Sequence, residues 1–412
     1  MRNPSRPPLS PEAQAVISAT GLSRRTLMRG LLAGGALVAG GGALAACGTK
    51  PAKKPEAEQK ACVGTDASAT EKKLSWSNWP LYIDVDANDD KKRPSIDGFT
   101  AKTGIAVTYT EDVNDNNEFF GKVRNQLQQC QSIDRDVMVL TDWMASRVVN
   151  LGWVQPFDPA KTPNFTKNVL ATLRNRPWDK DMNHAAPWQS GLTGIAYNGK
   201  VAKEVRNLDE LLTRADLKGK IAVLTEMRDT VGLVLLSMGK DPATVSEADY
   251  DAALEKLKKA VSSGQIRKFT GNDYKEDLAK GDLAACIAWS GDVIQLAAED
   301  GSQVKWVTPE EGVMLWSDNM LIPAPATHRA NAEQLIDYYY DPAVAAQVAA
   351  TVNYICPVQG AQDAMTKVAP DLATNPLIFP DSATLSKAHA FKALTEDEDK
   401  KWAAKFESVR GA

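Results

Sequence analysis

The groups that most catalysts and metal proteins rely on are scarce in this chain of 412 residues. No H-E-x-x-H, G-x-S-x-G or P-loop run occurs, and no G-x-G-x-x-G stands in a suitable setting, so the common hydrolase, metalloprotease and nucleotide-binding signals are missing. Histidine is limited to His184, His328 and His389, scattered through polar segments and expected at the surface. Cysteine is limited to Cys47, Cys62, Cys130, Cys286 and Cys356, none at the C-x-x-C spacing of a zinc site. No apolar run reaches the roughly 20 residues of a membrane span, and no repeat at solenoid periods is present. What remains is ordinary globular material, 43% hydrophobic and 24% charged. At about 100–200 residues per domain, that length makes two or three domains.

The amino-terminal stretch has its own character. Ser23-Arg24-Arg25-Thr26-Leu27-Met28 sets adjacent arginines after a serine, the pattern of a twin-arginine export signal, and a glycine-rich apolar run follows from Leu31 to Ala46. Leu44-Ala45-Ala46-Cys47 closes that run and resembles the lipobox of bacterial lipoproteins. We therefore expect residues 1–46 to be a signal peptide, Cys47 to carry a lipid, and the protein to be exported and anchored to the outer face of the cell membrane. Residues 47–71, rich in Lys, Pro, Glu and Ala, lack apolar periodicity and form a flexible tether. Without residues 1–46 the chain keeps 43 basic and 51 acidic side chains, a net charge of −8. Such a surface disfavours nucleic acid and anionic membrane as partners and favours cationic ligands by long-range steering. Export also permits disulfides. Cys47 aside, the thiols allow three full pairings; we favour Cys62 with Cys130, which lie in polar segments, because Cys286 and Cys356 lie in apolar runs where a reduced cysteine is common.

From residue 73 the pattern is β-α-β-α-β. Lys73–Trp79 alternates as a strand, Ser95–Thr103 reads as a short helix ending at Gly104, and Ile105–Tyr109 reads as the next strand. Phe119, Phe120, Val123 and Leu127 recur at helical spacing, and Val137–Leu140 is a continuous apolar run of the parallel-sheet kind. This alternation predicts a doubly wound sheet with ligands at the carboxyl ends of the strands. A second half repeats the theme, with strands at Leu192–Tyr197, Lys220–Leu224 and Ala284–Trp289, helices at Leu208–Arg214 and Tyr274–Lys280, and a helix introduced by Ser246-x-x-Asp249. Later helices are expected at Ala332–Tyr340 and Ala343–Ala350. The run Tyr338-Tyr339-Tyr340 invites comparison with the tyrosine pairs of ferric-ion carriers, but successive helical residues face different ways and cannot all converge on a metal.

The stretch Leu315-Trp316-Ser317-Asp318-Asn319-Met320 holds the most chemistry. In an extended chain Trp316 and Asp318 point to the same side. An aromatic face attracts an ammonium by about 0.5–2 kcal/mol, and a carboxylate adds charge-assisted hydrogen bonds. The pair is suited to holding a cation. Glu226 with Asp318 also makes a conceivable glycosidase pair, although carboxylates are too plentiful here for that signal to carry weight.

From about residue 72 the chain resembles the polyamine-binding group, for spermidine and putrescine, among the solute-binding proteins of bacterial ABC importers. The resemblance rests on an ordered set of short landmarks: Asn78-Trp79-x-x-Tyr82, Thr103-Gly104-Ile105-x-Val107, Asn117-Glu118, Leu151–Asp158, Pro163-Asn164-Phe165, Gly191–Asn198, Leu217–Lys220, Ala288–Asp292, Pro309–Gly312, Leu315–Asp318 and Tyr354-x-x-Pro357. It implies an α/β, two-lobed periplasmic-binding-protein-like fold of type II, each lobe a mixed, mainly parallel sheet flanked by helices, with the ligand cleft between lobes. The lobes it implies are 72–190 plus 317–362 and 191–316 plus 363–412, so that Trp316 and Asp318 flank a hinge. It further implies a cage of Trp79, Tyr82, Thr141, Trp143, Glu226, Asp229, Trp289, Trp316, Asp318 and Tyr354, with the acids in a 225–229 loop of ambiguous register. Aromatic walls suit the methylene chain and ammonium faces of a polyamine, and acids suit its charges. The family's tail glutamine is missing, its place taken by Ala390-Phe391-Lys392, and Trp188 and Gln189 stand near the lobe crossing where ligand or core contact are both open. The expected role is a non-enzymatic, cofactor-free monomer that hands polyamine to a membrane permease and its ATPase. Another organic cation, an amino-acid derivative or ferric ion in the same fold is the alternative.

Overall fold

Alternating apolar residues in Lys73–Asn78 bury Leu74 and Trp76 and make the first strand of a mixed sheet. The computed structural model describes residues 62–174, 176, 178–299 and 301–411, so the expected signal peptide, the lipidation site Cys47 and most of the tether lie outside the described residues. The strands are β1 (Lys73–Asn78), β2 (Ala106–Glu111), β3 (Val137–Thr141), β4 (Ala185–Asn198), β5 (Ile221–Leu224), β6 (Ile266–Thr270), β7 (Ala285–Trp289), β8 (Val304–Val307), β9 (Val313–Leu321) and β10 (Ala388–His389). Their order is β2-β1-β3-β9-β4-β7-β5-β6, with β10 beside β9 and β8 beside β4. At one end β1 runs parallel to β2 and β3; at the other β5 runs parallel to β6 and β7. Between them the antiparallel pair β4 and β9 carries the chain from one parallel group to the other.

The two largest hydrophobic clusters among the described residues sit on this frame. One joins Ile195, Leu224, Leu257 and Ile287 to Trp402 and Phe406 of the tail helix Glu396–Arg410. The other joins Trp76, Phe99, Val139, Trp188 and Tyr339, with a neighbouring cluster around Phe120, Leu140 and Trp153. Met365, Ala373 and Ile378 pack into this second core.

Several expectations need amending. β4 covers 14 residues where a strand over Leu192–Tyr197 was expected. The extra length hides in the sequence because Pro187 sits at a bulge, where the register slips between Pro187 and Gln189, and proline is otherwise poor strand material. Helices Met227–Ser237 and Ser290–Ala298 were not foreseen; the first is buried nearly all round and shows no polar face to give it away. The acids expected in a 225–229 loop thus belong to a helix start, with Glu226 as its N-cap and Asp229 in its first turn. His328, expected at the surface, is buried: its Nδ1 lies 3.0 Å from Asp136 Oδ1, and its Nε2 3.2 Å from Glu71 Oε2. Flanking polar residues concealed that core position. Trp188 packs edge-on against Trp76 and Tyr339 and donates to the Tyr82 carbonyl, which makes it a core residue. Tyr339 and Tyr340 are likewise buried, Tyr340 donating to the Pro187 carbonyl at 2.5 Å. Cys62 and Cys130 form a disulfide, while Cys286 and Cys356 are buried free thiols.

Candidate functional site

The carboxyl ends of β1, β3, β5 and β7 converge on one cavity of about 580 Å³, within the roughly 300–1,000 Å³ usual for small-molecule sites. Thr141, Glu226 and Trp289 each cap a helix that begins at this cavity: Asp142–Asn150, Met227–Ser237 and Ser290–Ala298. Helix amino termini carry partial positive charge and by themselves favour anions. Here each is offset by acids at its start, Asp142, Glu226 with Asp229, and Asp292. The sequence turns an anion-attracting geometry into one fit for cations.

Asp318 stands at the centre. It is 4% exposed, and β9 pairs it with Thr141 of β3 on one side and Gln189 of β4 on the other. Thr141 Oγ1 donates to Asp318 Oδ1 at 2.6 Å and Tyr82 donates to Oδ2 at 2.9 Å. Asn116 fixes the threonine, its Nδ2 donating to Thr141 Oγ1 at 2.8 Å. Burial pushes the Asp318 carboxyl up to about 7 despite these donors. Asp229 is pushed up to about 6, again by burial, with Trp289 Nε1 opposing from 2.8 Å. Burial lifts Glu226 to about 8, against the pull of Arg228. A carboxyl whose ionised form is disfavoured by desolvation gains most when a cation arrives beside it.

The aromatic walls depend on two glycines. Gly191 lies directly across from Trp316 in the β4–β9 ladder, and a Cβ there would stand 2.2 Å from the indole. A Cβ on Gly291 would stand 2.5 Å from the Tyr354 ring. With both rings close to the backbone, Trp316 meets Tyr354 at 5.4 Å and Tyr82 meets Tyr354 edge-on at 5.3 Å. Trp316 Nε1 donates to Thr193 Oγ1, and Tyr354 donates to Asp292, which also accepts from Tyr274 and Asn272.

The structure brings all the expected cage residues to this cavity: Trp79, Tyr82, Thr141, Trp143, Glu226, Asp229, Trp289, Trp316, Asp318 and Tyr354 each border it. It adds residues that sequence reasoning passed over. Asp142 is paired with Arg176 at 3.3 Å, Asp292 with Lys275 at 3.4 Å, and Asp399 with Arg228 at 2.6 Å. Asp292 and Arg228 lay inside stretches already singled out. Asp399 had no signal, being an acid in a polar tail that only folding carries to the cleft. Asp229 and Asp318 have no ion-pair partner among the described residues. Groups of acids, histidines and cysteines arranged to hold a metal are absent among the described residues.

The chain is 26% identical over 314 residues to the spermidine/putrescine-binding periplasmic protein of Escherichia coli, covering 76% of this chain and 84% of that one. It is 29% identical over 350 residues to the putrescine-binding periplasmic protein PotF of Escherichia coli, covering 80% and 89%. The solved structure of a putative spermidine/putrescine ABC transporter protein from Listeria monocytogenes superposes with a TM-score of 0.71 at 24% identity, covering 82% of this chain and 99% of that one, and shares the fold. Residues 95–380 match the family described as bacterial extracellular solute-binding protein, and the chain belongs to that two-lobed, non-enzymatic binding family.

Proposed function

We propose that this protein is the receptor of an ABC importer for polyamines, capturing a putrescine- or spermidine-like cation in the cleft and handing it to a membrane permease driven by its ATPase. The observation that carries the reading is the pair Asp229 and Asp318, buried carboxylates with no ion-pair partner among the described residues, bordering a cavity walled by Trp79, Trp143, Trp289 and Trp316. The polyamine ligands for which the relatives are named support the same ligand class. Tyr82, Thr141 and Tyr354 orient the acids and rings; Glu226 adds a third carboxyl.

The lobes in this reading are 72–190 plus 317 to about 380, and 191–316 plus the remaining tail. We place the last crossing later than the resemblance implied because Met365, Ala373 and Ile378 pack with the first lobe's core. We further propose export through the twin-arginine signal, a lipid on Cys47 holding a monomer at the outer face of the cell membrane, and residues 47–71 as the lipidated tether. No described helix is long and apolar enough to cross a membrane. Mass spectrometry of the protein isolated from its native membrane tests the anchor, since an unlipidated Cys47 would remove it.

Titration calorimetry on protein refolded free of carried-over ligand tests the ligand class with putrescine, spermidine, spermine and amino acids. Binding of at least one polyamine is expected, and Asp318→Asn is expected to weaken it at least tenfold, about 1.4 kcal/mol or more. Absence of binding to every diamine and polyamine would end the reading.

A further inference from the structure

The cleft is not uniformly open to cations. Arg228, in the first turn of helix Met227–Ser237, lays its guanidinium over the Trp143 ring, 3.9 Å from the centroid. Its Nη2 donates to Asp399 Oδ1 at 2.6 Å, and its Nη1 lies 3.7 Å from Glu226 Oε1. The side chain is only 12% exposed. One aromatic face and two acids of the cavity are therefore already engaged by a cation that belongs to the protein. Arg147 adds a second guanidinium 3.7 Å from Asp399. At Asp229 and Asp318 the situation is opposite: Asp229 receives Trp289 Nε1, and Asp318 receives hydroxyls from Tyr82 and Thr141, all neutral donors.

We infer that Arg228 is a built-in cation standing where a third ammonium would stand, so that the site takes an α,ω-diamine, one ammonium to each of Asp229 and Asp318, in preference to a linear triamine. The inference rests on the polyamine reading above. Its physical basis is the cost of displacement. A third ammonium must dislodge Arg228 from the Trp143 face and break its charge-assisted bond to Asp399. A buried guanidinium stripped of its partner is strongly destabilising, so the exchange returns little for what it removes. A diamine has no ion pair to break, because its two charges fall on Asp229 and Asp318, which have no ion-pair partner among the described residues. An ω-amino acid fits less well, since its carboxylate would have to take Arg228 from Asp399.

The test is calorimetric titration of ligand-free wild type, Arg228→Gln and Arg228→Ala with putrescine, spermidine and 4-aminobutyrate, each variant first checked for a cooperative melt. Wild type should bind putrescine at least tenfold more tightly than spermidine, and either folded variant should lower that preference at least tenfold. A wild type that binds spermidine as well as putrescine, or variants in which the ratio moves less than tenfold, overturns the inference while leaving the polyamine reading intact. Binding of neither amine removes both. Tight binding of 4-aminobutyrate that Arg228→Gln abolishes also overturns it, making Arg228 a carboxylate receptor.

Discussion

At Asp318 two effects oppose each other: burial favours the neutral acid, while the Tyr82 and Thr141 hydroxyls favour the carboxylate, and burial wins. The same holds at Glu226, lifted to about 8, and at Asp229, lifted to about 6, with burial the largest cause in each. Because these folded-state values lie above the ordinary 3.8 of Asp and 4.5 of Glu, the native protein holds more protons than the unfolded chain between those limits. Their contribution to ligand-free stability therefore falls as pH rises from about 4 to about 8. A bound ammonium reverses the preference, so ligand binding near pH 7 should expel protons and affinity should climb from pH 6 to pH 8. Calorimetry in buffers of different ionisation enthalpy measures this directly; proton uptake on binding, or affinity that falls over that range, would contradict the assignment of these acids as cation partners.

At the scale of elements, the sheet decides what the motif around Trp316 can do. Trp316 and Asp318 share one face of β9, as period-2 geometry requires, and lie on one unbroken strand. Their supports come from different directions: Thr193 of β4 holds the indole, whereas Tyr82 and Thr141 hold the carboxylate. Gly191 makes the arrangement possible by leaving room above β4 for the ring. Gly191→Ala should push the indole out of place, costing about 1–3 kcal/mol of stability from overpacking and weakening polyamine binding at least tenfold. Denaturant melts and titrations on the variant check both; unchanged affinity would take Trp316 out of the ligand's wall. The strand and ring were readable from six residues of sequence, but the need for glycine opposite was not, since Gly191 and Trp316 are 125 positions apart and meet only through β4–β9 pairing.

For the molecule as a whole, the fold turns a set of distant side chains into a charge pattern. Two parallel groups of strands, joined by β4 and β9, send their carboxyl ends to the same cavity, and the tail returns Asp399 to it. Such an architecture lets a ligand gripped from both sides favour the closed arrangement through its differential affinity. The amino-terminal side of the folded part is fastened by Cys62–Cys130, which spans 68 positions. A loop of that length corresponds to about 4 kcal/mol in the chain-entropy account, and about 2–4 kcal/mol is the usual measured range. The double variant Cys62→Ser with Cys130→Ser should therefore unfold at lower denaturant by an amount in that range, with ligand affinity little changed because both residues lie away from the cavity. A variant as stable as wild type would show that ordered neighbours, not the crosslink, hold this segment.

The alternating α/β character was legible in the sequence by itself, because hydrophobic period is a local property; cysteine setting favoured the Cys62–Cys130 pairing that forms without deciding it, and the residues expected of the cage all border the cavity. The sequence could not show that Met227–Ser237 is a helix, since an element buried on all sides has no polar face to set its period. It could not show that His328 is buried, since its partners Asp136 and Glu71 are brought to it from far away in the chain. Only the tertiary structure decided which acids of the cleft are neutralised by the protein's own cations and which are left open. That decision lies in distances between residues remote in sequence, Arg228 to Asp399 above all, and charge pairing at such range has no trace in local pattern.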